Sequence, residues 1–248
     1  MSKHIPDVHS GMHYHEFMSI LSKKRSVKRY FEIGVEHGKH LSLIHADHAV
    51  GVDPAFDIKF NIVNEKKRCI LVQKGSDQFF HEEDLKSLLD GCPDLVFLDG
   101  MHTFEFLLRD FANTETLSSK NTLVTLHDCL PLTAEMALRD KFEAYNTSPE
   151  GPYKEFWTGD VWKVIRILQE YRDDLRIVCV DCPPTGLVFI TNLDPSSRII
   201  QDNYHEIVQK YARMPNDTQS IADLYSNIEI VSSAKIINQY DHSLFFST

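Results

Sequence analysis

The chain has 248 residues, of which 42% are hydrophobic and 25% are charged, and this length favours one large α/β domain with an extension. Its 26 basic and 36 acidic residues give a formal net charge of −10, which disfavours a phosphate-binding nucleic-acid surface. The five cysteines, an odd number in a chain without an apolar N-terminal signal segment, favour free thiols. No apolar run approaches the roughly 18 residues that a membrane span requires. We therefore expect a cytoplasmic protein without membrane or nucleic-acid partners.

The N-terminal residues 1–26 are predicted to form a helical lead-in to the main domain. Residues 1–12 are polar, and apolar side chains at positions 17, 18, 20 and 21 then mark an amphipathic helix. His13 and His15 stand two positions apart and so face different sides of that helix. We favour hydrogen-bonded or solvent-facing histidines here over a pair of metal ligands.

The first strong signal is the sequence YFEIGVEHG at residues 30–38. A β-prone run passes through two glycines into a helix that begins near Lys39. Gly34 allows a backbone conformation that a Cβ would forbid, and Gly38 lets a ligand or the sheet approach the start of the helix. The next apolar run ends in Asp53, whose carboxylate can accept both hydroxyls of a ribose. This pattern predicts the cofactor half of a nucleotide-binding enzyme.

Strand and helix signals alternate along the rest of the domain. Predicted strands cover residues 27–34, 49–53, 69–74, 94–99, 122–128, 175–181 and 186–191, and predicted helices lie around 39–45, 82–89, 104–117, 132–145 and 160–171. Continuous apolar strands separated by helices predict a doubly wound parallel sheet with both faces covered. Only residues 182–185 separate the last two strands, which is too short for a crossover helix. We therefore predict a seven-stranded, mostly parallel sheet with one antiparallel strand.

Polar side chains stand at the carboxyl ends of the predicted strands, where ligands bind in open sheets of this type. These side chains are Glu32, Asp53, Ser76, Asp77, Asp99, His102, His127 and Asp128. Any one of them alone is weak evidence, because aspartate commonly begins a turn after a strand. Together they predict one crevice.

Four segments resemble the successive motifs of class I S-adenosylmethionine-dependent methyltransferases. The segments are EIGVEHG, VGVDP, VFLDGMHTFE and TLHDC, and the resemblance covers about residues 27–191. The closest subgroup carries Asp-Gly-x-His after the fourth strand, and the sequence GDVWK at 159–163 is also similar to that subgroup. One departure is Glu36, which stands where many such enzymes have a third glycine. The resemblance implies a Rossmann-like methyltransferase fold and S-adenosyl-L-methionine as the cofactor.

The resemblance also implies a cofactor role for each matching position. Gly34 and Gly38 would admit the methionine and ribose parts, with Glu32 supporting their loop through hydrogen bonds. Asp53 would hold the ribose hydroxyls, Ser76 with Asp77 would cap the adenine, and Asp99 would lie near the methyl-donor end. Phe79 or Phe80 would cover the base, unless these aromatic side chains are ordinary core.

A hydroxyl acceptor must lose a proton during methylation, and His102 is the expected general base because imidazole titrates near neutral pH. The alternative is that His102 only caps the helix that starts near Phe104. Asp99 and Asp128 form a tentative Mg²⁺ site, since hard cations prefer oxygen ligands. His127 would serve as a further ligand or a second base, or would orient Asp128.

Two segments lie outside the minimal fold. Residues 131–158, after the fifth strand, are predicted to form a helix and a flexible lid over the acceptor, or else a surface loop packed by its own aromatic side chains. Asp160 is expected to cap the helix that follows, and Lys163 to meet an anionic acceptor or to face solvent. Residues 195–248 are a C-terminal extension with a helix over 196–214, and the extension packs on the domain or on a second subunit of a homo-oligomer.

The sequence thus predicts a methyltransferase of small-molecule biosynthesis, in a single domain of residues 27–194, that acts on a hydroxyl of a sugar, sugar derivative or natural product. An NAD-dependent oxidoreductase or epimerase would also place glycines and Asp53 here. That class requires Gly-x-Gly-x-x-Gly, whereas residues 34–39 read GVEHGK. A non-catalytic nucleotide-binding protein of the same fold would tolerate replacement of His102, Asp99 or Asp128.

Overall fold

The structure, a computed structural model, describes residues 5–239 and 242–246. Its helices are α1 (Tyr14–Lys24), α2 (Lys39–Leu43), α3 (Ser76–Glu82), α4 (Leu85–Leu89), α5 (Phe104–Leu117), α6 (Lys141–Thr147), α7 (Lys163–Tyr171), α8 (Ile199–Tyr211), α9 (Thr218–Tyr225) and α10 (Ser233–Ile237). Its strands are β1 (Arg29–Ile33), β2 (His48–Val52), β3 (Arg68–Val72), β4 (Leu95–Leu98), β5 (Leu123–His127), β6 (Arg176–Val180), β7 (Leu187–Thr191) and β8 (Ile230–Val231). A short 3₁₀ turn, His242–Leu244, follows.

The strands form one sheet in the order β3-β2-β1-β4-β5-β7-β6-β8. Every neighbouring pair is parallel except those that involve β7, which is antiparallel to both β5 and β6. The predicted doubly wound, mostly parallel sheet with one antiparallel strand is therefore confirmed. The order reverses between β1 and β4, so the ligand crevice of an open sheet is expected at their carboxyl ends.

The sheet has eight strands rather than the predicted seven. The additional strand, β8, comes from the C-terminal extension and pairs in parallel with β6 through Cys179↔Ile230 and Val180↔Val231. A strand of two residues shows no periodicity, so residues 228–231 are recognisable from the sequence only as an apolar run. Through β8, the extension completes the edge of the sheet.

Both faces of the sheet are covered by apolar side chains. Successive residues of β1 point to opposite faces, so that Tyr30 joins one core and Phe31 the other. Phe79 is fully buried, and its ring lies 5.4 Å from that of Phe31, which makes it a core residue. Burial of each such side chain contributes roughly 2 kcal/mol. The continuous apolar strands of the sequence thus correspond to a sheet between two helical layers.

Two predicted helices were wrong. Residues 132–140 form turns, and the helix predicted over 132–145 begins only at Lys141, where Asp140 supplies the N-cap by accepting from the Glu143 amide. The helix predicted over 82–89 is divided into α3 and α4, because Glu83 is extended and Asp84 caps the second helix. In both cases a capping aspartate inside the apolar pattern starts a new helix.

Among the described helices, none combines the length with the apolar character needed to cross a bilayer. The five cysteines are free, and Cys179 and Cys182 are both buried.

Candidate active site

The turn after β1 packs against the end of β4. Gly34 has a φ of +89°, and a Cβ at this position would lie 1.8 Å from the carbonyl oxygen of Asp99. The Gly34 amide donates to the Val52 carbonyl at 2.9 Å, which links the same turn to β2. Only glycine fits here, because both the backbone conformation and the space exclude a side chain. Gly34 therefore fixes the ends of β1, β2 and β4 against one another.

The second glycine of the motif contacts the connection between β2 and β3. Gly38 has a φ of +77°, and a Cβ there would lie 2.6 Å from a methyl group of Ile62. Residues 53–67 form turns rather than a helix, and their backbone pairs with the glycine turn through Asp57 N to Glu36 O and Lys59 N to His37 O. Glu36 itself is left-handed, with a φ of +44°. This connection therefore lies along the glycine turn.

Asp53 joins these two loops. Its carboxylate is 8% exposed, and its two oxygens accept from the Glu36 amide at 2.8 Å and from the Ala55 amide at 2.7 Å. Each carboxylate oxygen has a further lone pair, so these contacts leave capacity for ribose hydroxyls. The geometry suits the role predicted for Asp53, which stays a prediction.

Glu32 is placed differently from the sequence expectation. Its partner is the Tyr30 hydroxyl, which donates at 2.6 Å, rather than the glycine turn. Burial raises the pKa of Glu32 to about 8, although the Tyr30 hydrogen bond acts in the opposite direction. The predicted hydrogen bonds to the loop are therefore incorrect: Glu32 is a buried acid of β1 that pairs with Tyr30.

The predicted adenine side contains an ion pair. Both oxygens of Asp77 accept from Arg109, at 2.8 and 2.7 Å, and Arg109 also contacts Tyr204 of α8. Behind them, Asp110 is 1% exposed, and burial raises its pKa to about 7. Arg109 occupies one lone pair on each Asp77 oxygen. A contact between adenine and Asp77 would thus use the other lone pairs of these oxygens, and the Ser76 hydroxyl would contact adenine beside them.

Three predicted residues converge at the carboxyl ends of β4 and β5. Asp99, His102 and Asp128 each place a ligand-type atom within 4.8 Å of the others. His102 Nε2 lies 3.7 Å from Asp99 Oδ1, and His102 Nδ1 lies 3.5 Å from Asp128 Oδ2. Asp128 is left-handed, with a φ of +58°, and its other oxygen accepts from the Thr185 hydroxyl at 2.6 Å. Two carboxylates and an imidazole are a donor set that fits a divalent cation.

The environment of His102 distinguishes its two ring nitrogens. Nδ1 lies 3.0 Å from the Trp157 carbonyl oxygen, which can only accept, so Nδ1 carries the proton. In the neutral form of the imidazole, Nε2 is then the nitrogen with the lone pair, and it faces Asp99. The Trp157 ring stacks on the imidazole with centroids 4.6 Å apart and planes at 15°.

His102 does not cap α5, so the structural alternative considered for it is wrong. Thr103 occupies the N-cap position without a side-chain hydrogen bond. Asp160 instead accepts from the Phe104 amide at 3.0 Å. The cap predicted for Asp160 on the following helix is therefore also incorrect, since this carboxylate caps a helix 56 residues earlier in the chain.

Lys163 fits neither of the predicted roles. It is 1% exposed, so it does not face solvent, and its ammonium group lies 3.0 Å from Asp160 Oδ2. The Lys163 ammonium group thus pairs with Asp160 inside the protein and does not contact a methyl acceptor.

His127 lies between the two candidate carboxylates. Its Nδ1 is 3.2 Å from Asp99 Oδ1 and 3.4 Å from Asp128 Oδ1, both at ion-pair distance. Burial alone would lower the pKa of His127, but the charges of Asp128 and Asp99 raise it well above its usual value. Burial alone would raise the pKa of Asp128, and the two histidines lower it instead. A charged His127 serves better to orient these carboxylates than as a base.

The structure adds Tyr14, which sequence reasoning missed. Its ring lies 4.4 Å from that of His127, so α1 covers the ends of β4 and β5. Burial raises the pKa of Tyr14, and Asp99 and Asp128 add to the effect, so the phenol is neutral. His40 stacks on Phe97 at 3.9 Å in the same cluster. No pattern within α1 indicates this contact, because its partners are far away in the sequence.

The sequence of this region matches a known family. Residues 31–129, from within β1 to just after β5, match the model of a family described as a methyltransferase domain. This segment is therefore similar to a methyltransferase domain. The match includes Gly34, Asp53, Asp99 and Asp128, and it favours a methyltransferase over the NAD-dependent alternative. The subgroup with Asp-Gly-x-His stays a prediction. A search of curated proteins finds no significant match.

Solved methyltransferase structures are distantly similar to the chain. SAH-bound PaMTH1 of Podospora anserina is 14% identical over 73% of this chain and 78% of its own, with a TM-score of 0.46. The O-methyltransferase TomG of Streptomyces achromogenes, in complex with SAM, is 13% identical over 71% and 78%, with a TM-score of 0.45. A Bacillus cereus O-methyltransferase in complex with SAH is 15% identical over 71% and 79%, with a TM-score of 0.44. At these levels, the solved structures carry no information about the activity of this chain.

Proposed function

We propose that the protein is an S-adenosylmethionine-dependent O-methyltransferase that acts on a small-molecule hydroxyl, with sugars, sugar derivatives and natural products favoured. The observation that carries the proposal is the position of His102 Nε2. This nitrogen is left free by the Nδ1 contact with Trp157 and lies 3.7 Å from Asp99 at the end of β4. A hydroxyl loses its proton as it is methylated, and a free imidazole nitrogen at this edge supports that reaction.

The residues at the ends of β1 and β2 fit the cofactor. Gly34 leaves no side chain at the switch point, and Asp53 keeps free lone pairs while two backbone amides hold it in place. When bound, S-adenosylmethionine supplies an electrophilic methyl group on a sulfonium sulfur. Ser76 and Asp77 are proposed for the adenine, and Asp99 for the neighbourhood of the methyl donor.

His102 is proposed to remove the acceptor proton as the new carbon–oxygen bond forms. Nε2 takes the proton while Nδ1–H continues to donate to the Trp157 carbonyl, so the ring becomes an imidazolium. Asp99 and Asp128, at 3.7 and 3.5 Å, stabilise that charge without moving. The chain itself therefore contributes alignment, a base and a preformed negative environment.

Asp99 and Asp128 are also proposed to hold a divalent cation, with Mg²⁺ as the first candidate. Such an ion would lower the pKa of an acceptor hydroxyl. The three-residue cluster supports this idea, but His102 Nε2 cannot be a free base and a ligand at once. In our proposal the carboxylates bind the ion, and the imidazole stays free.

Cofactor binding provides the first test. S-Adenosylhomocysteine should raise the Tm of the purified protein, whereas NAD should leave it unchanged, because a ligand stabilises only the fold that binds it. Incubation with S-adenosylmethionine and a panel of hydroxylated small molecules should add one methyl group to an acceptor, as seen by mass spectrometry. Stabilisation by NAD alone would contradict the proposal. Binding of S-adenosylhomocysteine without any transfer would favour the non-catalytic alternative.

A further inference from the structure

The segment 157–160, which we call the clamp segment, contacts residues 102–104 through three of its four residues. Trp157 contacts the His102 side chain, Gly159 contacts the His102 backbone, and Asp160 contacts the amide of Phe104. The clamp segment overlaps the end of the predicted lid, residues 131–158, and continues two residues beyond it. The conformation of the candidate base is thus tied to a part of the chain outside the matched family segment.

Trp157 provides the nearest acceptor for His102 Nδ1, ahead of Asp128 Oδ2 at 3.5 Å. Its carbonyl accepts from Nδ1 at 3.0 Å, and its ring stacks on the imidazole 4.6 Å away. A stacked ring also limits rotation of the imidazole about its side-chain bonds. The combination selects the Nδ1–H tautomer and directs Nε2 towards Asp99.

Gly159 allows the clamp segment to approach this closely. Its φ is +58°, and a Cβ here would lie 1.8 Å from the His102 carbonyl oxygen and 2.9 Å from the His102 Cβ. A side chain at this position would force the two segments apart. The glycine is therefore required by contact with the candidate base itself.

Asp160 anchors the clamp segment. It is 0% exposed, and besides the Phe104 amide it accepts from Lys163 at 3.0 Å and from Arg139 at 2.8 Å. A buried carboxylate of this kind is stable only while its partners stay in place. Capping of α5 therefore depends on the ion pairs that Asp160 makes.

Arg139 is the exposed member of this network. Its side chain is 44% exposed, and it bonds both Asp160 and Glu105, the second residue of α5. It belongs to the turns that follow β5, which also contact the clamp segment through Trp157 Nε1 to the Leu138 carbonyl at 2.7 Å. A movement of these turns over the acceptor side would reach Asp160 through Arg139.

We propose that Asp160 and Arg139 are positioning residues that hold His102 in the Nδ1–H tautomer, with Nε2 directed at the acceptor side. The catalytic consequence rests on the proposed function, whereas the positioning itself is measurable without turnover. Neither residue touches the reacting atoms. Both act through the clamp segment and the start of α5.

The test compares Arg139→Gln and Asp160→Asn with Arg198→Gln as a matched control. Arg198 is an exposed arginine whose ion pair, with Asp202, lies on α8. In full-length protein with ¹⁵N-labelled histidine, long-range ¹H–¹⁵N spectra report the tautomer of each imidazole, and His102→Gln identifies the His102 signals. We expect the Nδ1–H pattern in the wild type and the control, and a mixed pattern in Arg139→Gln.

Kinetics supply the second measurement. For Arg139→Gln, we expect kcat to fall about tenfold while KM for the cofactor changes less than about twofold, because the ribose side is untouched. Arg139→Lys, which keeps one ion pair, should recover part of the loss. Asp160→Asn should reduce kcat further. It also leaves the buried Lys163 without a partner, so this variant can fail to fold. In that case Arg139→Gln alone tests the proposal.

The outcomes separate this proposal from the proposed function. A changed tautomer in Arg139→Gln supports the positioning role even if no variant transfers a methyl group, in which case only the proposed function fails. An unchanged His102 tautomer in Arg139→Gln overturns the positioning role, even if methyl transfer is observed. Equal losses in Arg139→Gln and Arg198→Gln would also overturn it, since they would reflect a general effect of surface charge.

Discussion

His102 Nε2 lies 3.7 Å from Asp99 Oδ1, on the side of the imidazole opposite the Nδ1–H contact with Trp157. A neutral imidazole nitrogen and a carboxylate oxygen are both acceptors, so neither can satisfy the other. An acceptor hydroxyl can donate its one proton to Nε2, and a cation can bind the Asp99 carboxylate, so the space between the two groups suits the proposed reactants. The sheet therefore places His102 and Asp99 where the proposed proton transfer would occur.

Replacement of Asp53 should weaken cofactor binding. Asp53→Ala removes the proposed ribose ligand together with its contacts to the Glu36 amide of the glycine turn and the Ala55 amide, so we expect the Kd for S-adenosylhomocysteine to rise about tenfold or more. Calorimetric titration measures this value. Asp47→Asn is the control, because Asp47 precedes the same strand at the opposite edge of the sheet and pairs with Lys67. Equal affinity in both variants would remove Asp53 from the cofactor site.

Gly34→Ala should destabilise the protein far more than Gly75→Ala. At Gly34 a Cβ meets the Asp99 carbonyl oxygen at 1.8 Å in a left-handed backbone, whereas at Gly75 it meets nothing within 4 Å. We expect the free energy of unfolding to fall by about 3 kcal/mol or more at Gly34 and by less than about 1 kcal/mol at Gly75. Urea unfolding measures both values. Similar losses would show that the turn after β1 is not constrained as described.

Glu32 should make stability depend on pH. The pKa of this buried acid is raised from 4.5 to about 8, so the folded protein keeps a proton that the unfolded chain loses. The free energy of unfolding should therefore fall as the pH rises from about 4.5 to about 8, at about 1 kcal/mol per pH unit. Glu32→Gln should flatten this slope.

The control for this experiment is Glu143→Gln, which changes an exposed glutamate of α6. Urea unfolding across the same pH range compares the three proteins. A slope that is equal in wild type and Glu32→Gln would contradict the buried, protonated state of Glu32.

Removal of divalent cations tests the proposed metal site. If Asp99 and Asp128 hold Mg²⁺, exhaustive chelation should abolish methyl transfer, and added Mg²⁺ should restore it. Asp128→Asn should raise the Mg²⁺ concentration needed for half-maximal activity. Full activity after chelation would remove the ion from the scheme and leave His102 as the sole source of acceptor activation.

The sheet was predictable because its signals are local. Apolar runs predict the strands, and the six residues between β6 and β7 are too few for a crossover helix, so the two strands form a hairpin. The two-residue strand β8 and the split between α3 and α4 were not predictable in the same way. A two-residue strand shows no alternation of apolar and polar residues. The division between α3 and α4 depends on the capping geometry of Asp84.

The candidate site was predictable only where its residues follow strands. Asp99, His102 and Asp128 meet because parallel strands bring their carboxyl ends to one edge. Tyr14 and Asp160 come from other segments, and their contacts with His127 and Phe104 depend on the assembled tertiary structure. The same reason explains why Lys163 was expected at the surface, although it pairs inside the protein with Asp160.

The most direct test of the account is the turnover of His102→Gln with an acceptor identified by mass spectrometry. We expect kcat to fall by about a hundredfold or more, while the Kd for S-adenosylhomocysteine stays within about twofold of the wild-type value. A variant that methylates the acceptor at the wild-type rate would contradict the account, because the free nitrogen facing Asp99 would then have no part in the reaction.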